Sequence, residues 1–363
     1  MYSESDIEAA VSSGALSREA ADALRTHAAQ SRATPLVDEE HFRLLTGFND
    51  IFVAIAAAIL LFALGWIGNS LPPHIGYDGP SPFAGLLPAA AAWGLAEFFT
   101  KKRRMALPSI LLLLAFVAGA FAATAFSLVL VVGEDVVDRS EQAGALVAAA
   151  AAAVAAGAAW VHWRRFRVPI TIAAGAAAVV GVVLALIASI VGDTENLKDT
   201  ILAFALLLGI GVFLFAMWWD SSDPRRETRR SDVAFWLHLL SAPLIVHPIF
   251  SLLGLTEGEA SIGEATVVLL VYVGLGITAL AIDRRALLVS ALAYVLFALS
   301  NLFERFGAVE LSVALTAFVI GSALLLLSAF WQTARRAVVR PLPEGLRSKL
   351  PVIDREPATA AAG

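Results

Sequence analysis

The stretch IFVAIAAAILLFALGWI, residues 51–67, decides the fold. Its 17 consecutive residues carry no charged side chain. Because an α-helix rises about 1.5 Å per residue, a run of this length nearly matches the roughly 30 Å hydrocarbon layer of a bilayer. The stretch therefore predicts a membrane-spanning helix.

Nine further apolar blocks follow the first one. Of the 363 residues, 59% are apolar and 16% are charged, whereas a soluble domain carries about 25% charged residues. The composition therefore predicts an all-α polytopic transmembrane helix bundle with about ten spanning helices. The predicted spans are residues 51–67, 83–99, 108–132, 143–161, 169–191, 201–219, 233–253, 265–282, 286–302 and 311–331.

Lys and Arg predict the orientation, because cationic residues accumulate on the cytoplasmic side of a membrane. With a cytoplasmic N-terminus, 23 of the 26 cationic residues lie on the inner side. The predicted outer loops hold only Arg139, Lys198 and Arg305. We therefore expect a multi-pass protein of the bacterial inner membrane with the N-terminus and the C-terminus in the cytoplasm.

Four regions are predicted along the chain. Residues 1–34 form an acidic cytoplasmic helical hairpin, in which Ser3 and Ser17 are placed as N-caps and Gly14 as a helix stop. Residues 35–50 form an interfacial helix and linker, and residues 51–331 form the ten-helix bundle. Residues 332–363 form a cytoplasmic tail that is first basic and then, where it is rich in Pro and Ala, disordered.

The N-terminal sequence carries a resemblance. SESDIEAAVSSGALSREAADALR at residues 3–25 and DEEHFRLLTGFNDIFVAI at residues 38–55 resemble a bacterial family of multi-pass membrane proteins of unknown function. In that family a short acidic helical hairpin precedes a bundle of many helices. The resemblance implies a location and an architecture, and it implies no catalytic residue.

Motifs for intramembrane enzymes are absent from the sequence. Gly-x-Ser-Gly, Gly-x-Gly-Asp and His-Glu-x-x-His do not occur, and the chain has no cysteine. His238 and His247 are nine residues apart, which puts them on opposite faces of a regular helix, so they cannot bind one metal ion together. We predict no enzyme, no cofactor and no metal site, and we expect each histidine to hydrogen-bond a neighbouring helix.

The predicted partners are the lipid bilayer, a small-molecule substrate and a cytoplasmic protein at residues 1–34. Nucleic acid is not expected, because residues 1–50 carry nine acidic and four basic side chains. Charged side chains are nearly absent from the predicted spans, which disfavours a pump driven by protons or sodium ions. Glu97 lies one turn from Lys101, so an ion pair explains it more simply than a proton relay.

Proline inside a spanning helix removes a backbone hydrogen bond and can mark a binding site. Pro88 lies in the second predicted span, and Pro243 and Pro248 lie in the seventh. Two inverted halves of five helices would make these spans equivalent. The hypothesis places substrate-binding side chains on both spans, with helix kinks that only improve packing as its alternative. The candidate substrate-binding residues are Trp93, Glu97, Ser241 and His247.

Two functions remain open from the sequence. The first is a carrier or exporter of a small organic molecule, built from two halves of five helices. The alternative is a non-transporting scaffold, or an envelope or stress sensor, which acts through the N-terminal hairpin and through basic inner loops that contact a partner or anionic lipid.

Overall fold

The computed structural model describes residues 10–24, 48–224, 226, 228–252, 262–285 and 312–353, with single positions between 287 and 299. The chain divides into two compact units, residues 1–42 with 352–363, and residues 43–351. Most of the predicted interfacial helix, and the end of the predicted hairpin, lie outside the described residues.

The described part of the smaller unit is a turn between two helical segments, residues 10–12 and 18–24. The Ser17 hydroxyl accepts a hydrogen bond from the Ala20 backbone N–H at 3.1 Å, which is the geometry of an N-cap. Gly14 has a positive φ of 73° and ends the preceding segment. The Ser17 cap and the Gly14 stop are thus confirmed, while Ser3 lies outside the described residues.

Helices, joined by turns and loops, are the regular secondary structure of the described residues of the larger unit. The helices are α1 (Phe48–Asn69), α2 (Phe83–Ala96), α3 (Ala106–Val132), α4 (Glu141–Phe166), α5 (Ile170–Val191), α6 (Leu197–Ser221), α7 (Arg229–Leu252), α8 (Ile262–Ile282), α9 (Ser312–Ala329) and α10 (Trp331–Val339). A π-helical turn, Glu97–Lys102, extends α2. Short helices at Glu134–Arg139 and Glu344–Arg347 lie in connections.

Seven of the described helices, α1 to α7, are long and apolar enough to cross a membrane, or up to eight if the bent pair α9 and α10 counts as one span. Helices of this length and composition indicate a multi-pass membrane protein. The ninth predicted span lies largely outside the described residues. The total of ten spans therefore stays a prediction.

On the first helix, the buried side chains are mostly small, and many large apolar ones face outward. On α1, Ala54 and Ala57 are buried, whereas Phe52 and Phe62 are 65% and 72% exposed. Such a distribution is the reverse of a water-soluble core and fits helices surrounded by lipid, because small residues let helix backbones approach closely.

The largest packing interfaces join helices that are consecutive across a turn on the predicted inner side, namely α2 with α3, α4 with α5, and α6 with α7. At the first of these interfaces, a Cβ on Gly85 would lie 2.5 Å from the Gly119 carbonyl oxygen and from the Ala123 backbone nitrogen. Gly119 and Ala123 thus lie where the α2 and α3 backbones approach closely.

Each described inner turn contains a residue in the left-handed region of the backbone map. In the part of the chain that the structure describes, the non-glycine residues with positive φ are Arg104, Arg167, Arg226 and Asp283, with φ between 53° and 58°. At Arg167, for example, the backbone N–H donates to the Trp163 carbonyl and closes the last turn of α4. The turns on this side are therefore short and reverse the chain sharply.

The tenth predicted span, residues 311–331, is observed as α9 and is followed, after a bend, by α10. A bend of 74° separates the α9 segment of this span from α10. The basic start of the predicted tail lies in α10, whose Trp331, Arg335 and Val339 are buried. The helix is amphipathic, so its apolar side packs on the protein rather than continuing through lipid. Residues 354–363 lie outside the described residues.

Candidate functional site at the inner ends of the helices

The turn between α6 and α7 is organised by a carboxylate. Asp223 follows α6, and its Oδ2 accepts hydrogen bonds from the Thr228 backbone N–H at 2.9 Å and from the Thr228 hydroxyl at 2.7 Å. These bonds hold the start of α7 beside the end of α6. The arrangement places Asp220, in the last turn of α6, against the first turns of α7.

Asp220 is buried and accepts hydrogen bonds from two side chains. His238 of α7 donates from Nε2 to Asp220 Oδ2 at 3.0 Å. Arg284 donates from Nη2 to Asp220 Oδ1 at 2.6 Å and from Nε to Oδ2 at 3.3 Å. Because Asp220 is 1% exposed and His238 is fully buried, these contacts replace water for all three groups.

Arg284 comes from the turn after α8 and reaches into the α6–α7 pair. Its Nη2 also donates to the Ser231 carbonyl at 3.0 Å and to the Ser231 hydroxyl at 3.3 Å. The guanidinium carbon lies 6.0 Å from the centre of the Phe235 ring. Arg284 therefore fixes both ends of the α6–α7 turn to the turn after α8.

A second set of contacts lies beside the first. Asp283 Oδ2 accepts from Arg226 Nη1 at 3.0 Å, and Asp283 Oδ1 accepts from Trp331 Nε1 at 2.7 Å. Arg226 Nη2 donates to the carbonyls of Ile282 and Asp283 at 2.9 and 3.1 Å. Trp331 thus attaches α10 to the turn after α8.

Arg284 of the first set and Asp283 of the second are neighbours in the chain, so the two sets form one network. We call it the inner ionic cluster. Its members are Asp220, Arg226, Ser231, His238, Asp283, Arg284, Trp331 and Arg335. Arg335 is 1% exposed and extends the network to the C-terminal segment, because its Nη2 donates to the Pro351 carbonyl at 2.6 Å.

His238 gives the cluster a group that can take up a proton. A carboxylate only accepts hydrogen bonds, so the nitrogen facing Asp220 must carry the hydrogen. The other nitrogen, Nδ1, is buried and has no hydrogen-bond partner among the described residues. A proton added there would raise the positive charge beside Arg284 without gaining an acceptor. An added proton on His238 would therefore disfavour this arrangement of the cluster.

The residues predicted on the second span lie elsewhere. The Trp93 ring contacts Phe116, His162 and Phe166, with ring centres 5.0 to 6.2 Å apart. Glu97 forms an ion pair with Arg165 of α4, with two hydrogen bonds of 2.7 and 2.8 Å. Its distance to Lys101 Nζ is 3.8 Å, so an ion pair with a neighbouring cation, as the sequence predicts, is confirmed.

The residues predicted on the seventh span are also separated from Trp93 and Glu97. The fully buried Ser241 donates to the His238 carbonyl within α7, and His247 is exposed. The main packing partners of α2 are α1 and α3, and those of α7 are α6 and α5. The described residues therefore do not bring the four predicted substrate-binding residues into one interface.

The prolines of these two helices do not interrupt them. Pro88 lies inside α2, and Pro243 and Pro248 lie inside α7, and both helices continue past them. The irregular part of α2 is instead the π-helical turn at Glu97–Lys102.

Sequence reasoning missed most of the inner ionic cluster. From the sequence, Arg226 and Arg284 were interpreted only as signals of membrane orientation. Asp220 lies one residue beyond the predicted sixth span and was not considered. The expected helix-to-helix hydrogen bond of His238 is confirmed, with Asp220 as its partner. The signal that could have found the site is a set of acidic residues, Asp220, Asp223 and Asp283, on the side of the bundle where cations dominate.

Comparison of the chain with models of protein families, with curated proteins and with solved structures finds no match.

Proposed function

We propose that the chain is a carrier, acting as an exporter of a small organic molecule in the bacterial inner membrane, and that the inner ionic cluster closes its cytoplasmic side. The proposal includes ten spanning helices and two cytoplasmic termini. The observation that carries it is the buried contact of Asp220 with His238 and Arg284.

A carrier that exposes its site alternately to the two sides needs a closure that can break and re-form. The cluster has the composition for this role, because it joins the α6–α7 turn, the turn after α8, and α10 mainly through side-chain contacts. Ionisable groups at the ends of membrane-spanning helices are costly to bury, and they commonly mark transport pathways. A cluster used only for packing could be apolar at less cost.

The charge distribution supports the orientation of the proposed carrier. The topology prediction assigns the inner ionic cluster, Arg104 and Arg167 to the side that would hold 23 of the 26 cationic residues. The turns that contain Arg104, Arg167 and Arg226 join the helices that pack most extensively, which supports a closed end on the predicted cytoplasmic side.

The absence of cysteine from the chain allows a direct test. Ser241→Cys would place one thiol in α7, next to the cluster, and Ser109→Cys would place one near the inner end of α3. Both serines are buried and donate to a carbonyl of the preceding turn. In inside-out vesicles, both cysteines should react slowly with a membrane-impermeant maleimide.

Asp220→Asn is then combined with each cysteine variant. It should accelerate the labelling of the cysteine at position 241, while the labelling of the cysteine at position 109 should stay slow. Acceleration at both cysteines would indicate general unfolding, and acceleration at neither would show that the cluster is not a closure.

The second experiment uses the Ser241→Cys variant with Asp220 unchanged. A panel of small organic molecules should contain at least one compound that changes the labelling rate of this cysteine. A panel without any effect would count against a carrier.

The alternative function, a scaffold or an envelope or stress sensor, is favoured by one observation. Residues 1–42 belong to a compact unit separate from residues 43–351, which suits a segment that contacts a cytoplasmic partner. Co-purification of one soluble protein, lost on deletion of residues 1–34, together with a negative substrate panel, would support this function over the carrier.

A further inference from the structure

A second charged site lies at the inner end of the first half of the bundle. A cavity of about 560 Å³ opens between the end of α2 and the end of α4. Its lining combines cationic, acidic and apolar groups, which are Gly94, Glu97, Phe98, Lys101, Lys102 and Arg165. None of these residues belongs to the inner ionic cluster.

The positive charge of the cavity comes from its lysines. Arg165 and Glu97 form a bidentate ion pair with bonds of 2.7 and 2.8 Å, so their charges largely compensate each other. Lys101 is 3.8 Å from the same carboxylate, and the Lys102 ammonium lies 6.0 Å from the centre of the Phe98 ring. With three cations and one carboxylate, the lining carries a net positive charge that suits an anion.

The backbone of α2 places both lysines at the cavity. The π-helical turn Glu97–Lys102 widens the end of the helix, and such turns frequently occur at functional sites. Lys101 and Lys102 are exposed. Their ammonium groups are therefore accessible to a ligand at the membrane boundary.

The other end of the cavity is apolar. Gly94 is exposed, and a Cβ built on it would meet no atom within 4 Å, so the helix surface has an indentation there. The Phe98 ring is 43% exposed beside it. On the side of Gly94 that faces away from the lysines, α2 has the surface of an apolar membrane-spanning helix. A ligand that fits this gradient has an anionic head and a hydrocarbon chain.

We infer that this cavity binds an anionic phospholipid of the inner leaflet, with the phosphate beside Lys101 and Lys102 and an acyl chain over Gly94. Basic residues immediately cytoplasmic of a spanning helix attract anionic lipids. A free phosphate would use the lysines but not the apolar indentation. This site is independent of the proposed carrier function and holds for a scaffold or sensor as well.

The test uses the full-length protein in detergent, titrated with dioleoyl phosphatidylglycerol, dioleoyl phosphatidylcholine or inorganic phosphate. Native mass spectrometry counts the bound lipids, and the midpoint of thermal unfolding reports their stabilisation. The site should bind phosphatidylglycerol in preference to phosphatidylcholine. The double variant Lys101→Gln/Lys102→Gln should weaken the binding of phosphatidylglycerol about tenfold or more, since each cation near an anionic lipid contributes.

Two matched controls accompany the lysine variant. Arg347→Gln/Lys349→Gln removes two exposed cations of the C-terminal segment, outside the cavity, and should leave lipid binding unchanged. Gly94→Leu fills the indentation, where an added Cβ has no atom within 4 Å, and should displace the lipid while the fold is kept. Gly157→Leu on α4, at another exposed glycine with open space, should not displace it.

The proposal is overturned if the lysine variant binds phosphatidylglycerol as well as the parent does. It is also overturned if inorganic phosphate stabilises the protein as much as the lipid does, or if the control pair weakens binding equally. Should the lysine variant fail to fold, Gly94→Leu decides alone, because lipid retained in that variant contradicts the assignment.

Discussion

Arg284 and Asp220 are 64 residues apart in the chain, and their side chains meet at 2.6 Å in the interior of the bundle. The pair joins the turn after α8 to the end of α6. Because both residues are almost completely buried, neither charge has water as an alternative partner. The stability of the inner side should therefore depend on both members being present.

Removing one partner of a buried ion pair typically costs about 3–5 kcal/mol, because the other charge stays buried alone. We expect Asp220→Asn and Arg284→Gln each to lower the free energy of unfolding by this amount in SDS titrations. The double variant should lose clearly less than the sum of the two. Asp199→Asn, at the exposed opposite end of α6, is the control and should change stability little. Additive losses in the double variant would mean that the two residues act separately.

Substitution by alanine should affect the stability of the protein in opposite ways at two glycines of α2. Gly85→Ala would bring a methyl group within 2.5 Å of the α3 backbone, and the helices would have to separate. We expect destabilisation of roughly 1–3 kcal/mol from overpacking. Gly94→Ala meets no neighbour, and alanine is the better helix former by about 1 kcal/mol, so this variant should be neutral or more stable. Thermal unfolding in detergent measures both, and equal effects would contradict the described α2–α3 interface.

Trp331 should contribute through its indole N–H, and not only through its ring. Trp331→Phe keeps an aromatic ring but removes the donor 2.7 Å from Asp283 Oδ1. Hydrogen bonds to charged groups contribute about 1.5–3 kcal/mol, so the unfolding midpoint should fall. Trp218→Phe is a suitable comparison, because Trp218 is 61% exposed at the end of α6. A similar fall in both variants would indicate that the indole bond to Asp283 is unimportant.

The topology is tested with reporter fusions. A reporter enzyme that is active only in the cytoplasm should be active when it is fused after Gly363. A reporter that is active only outside the cytoplasm should be active when it is inserted at Asp135. Asp135 lies in the short helix Glu134–Arg139, which contains no buried residue, so an insertion there does not enter the core. Cytoplasmic activity at the Asp135 position would break the ten-span arrangement.

The sequence was sufficient for the seven long apolar helices α1 to α7, because an apolar block of this length favours a helix by itself. The block at 108–132, for example, is observed as Ala106–Val132. The bend before Trp331 was not predictable in this way. The apolar block continues up to Trp331, and only the buried contact of its indole with Asp283, 48 residues earlier, shows that the helix leaves the span there.

The inner ionic cluster was also hard to predict from the sequence, because it is formed by contacts between residues far apart in the chain. Arg284 has one role as an orientation signal and another as the partner of Asp220, and a count of charges detects only the first. Pairing between distant turns depends on which helices pack together. A single sequence does not contain that information, so Ser241 and Trp93 were grouped by an assumed symmetry and not by proximity.

The left-handed residues of the inner turns have a consequence for how the chain is made. Arg104, Arg167 and Arg226 each reverse the chain between two helices that pack extensively on each other. A ribosome delivers the two helices of such a pair in immediate succession, so each pair can leave the insertion machinery already assembled. We expect biogenesis to proceed by helical hairpins, with α1 entering alone. The order of synthesis then coincides with the order of packing.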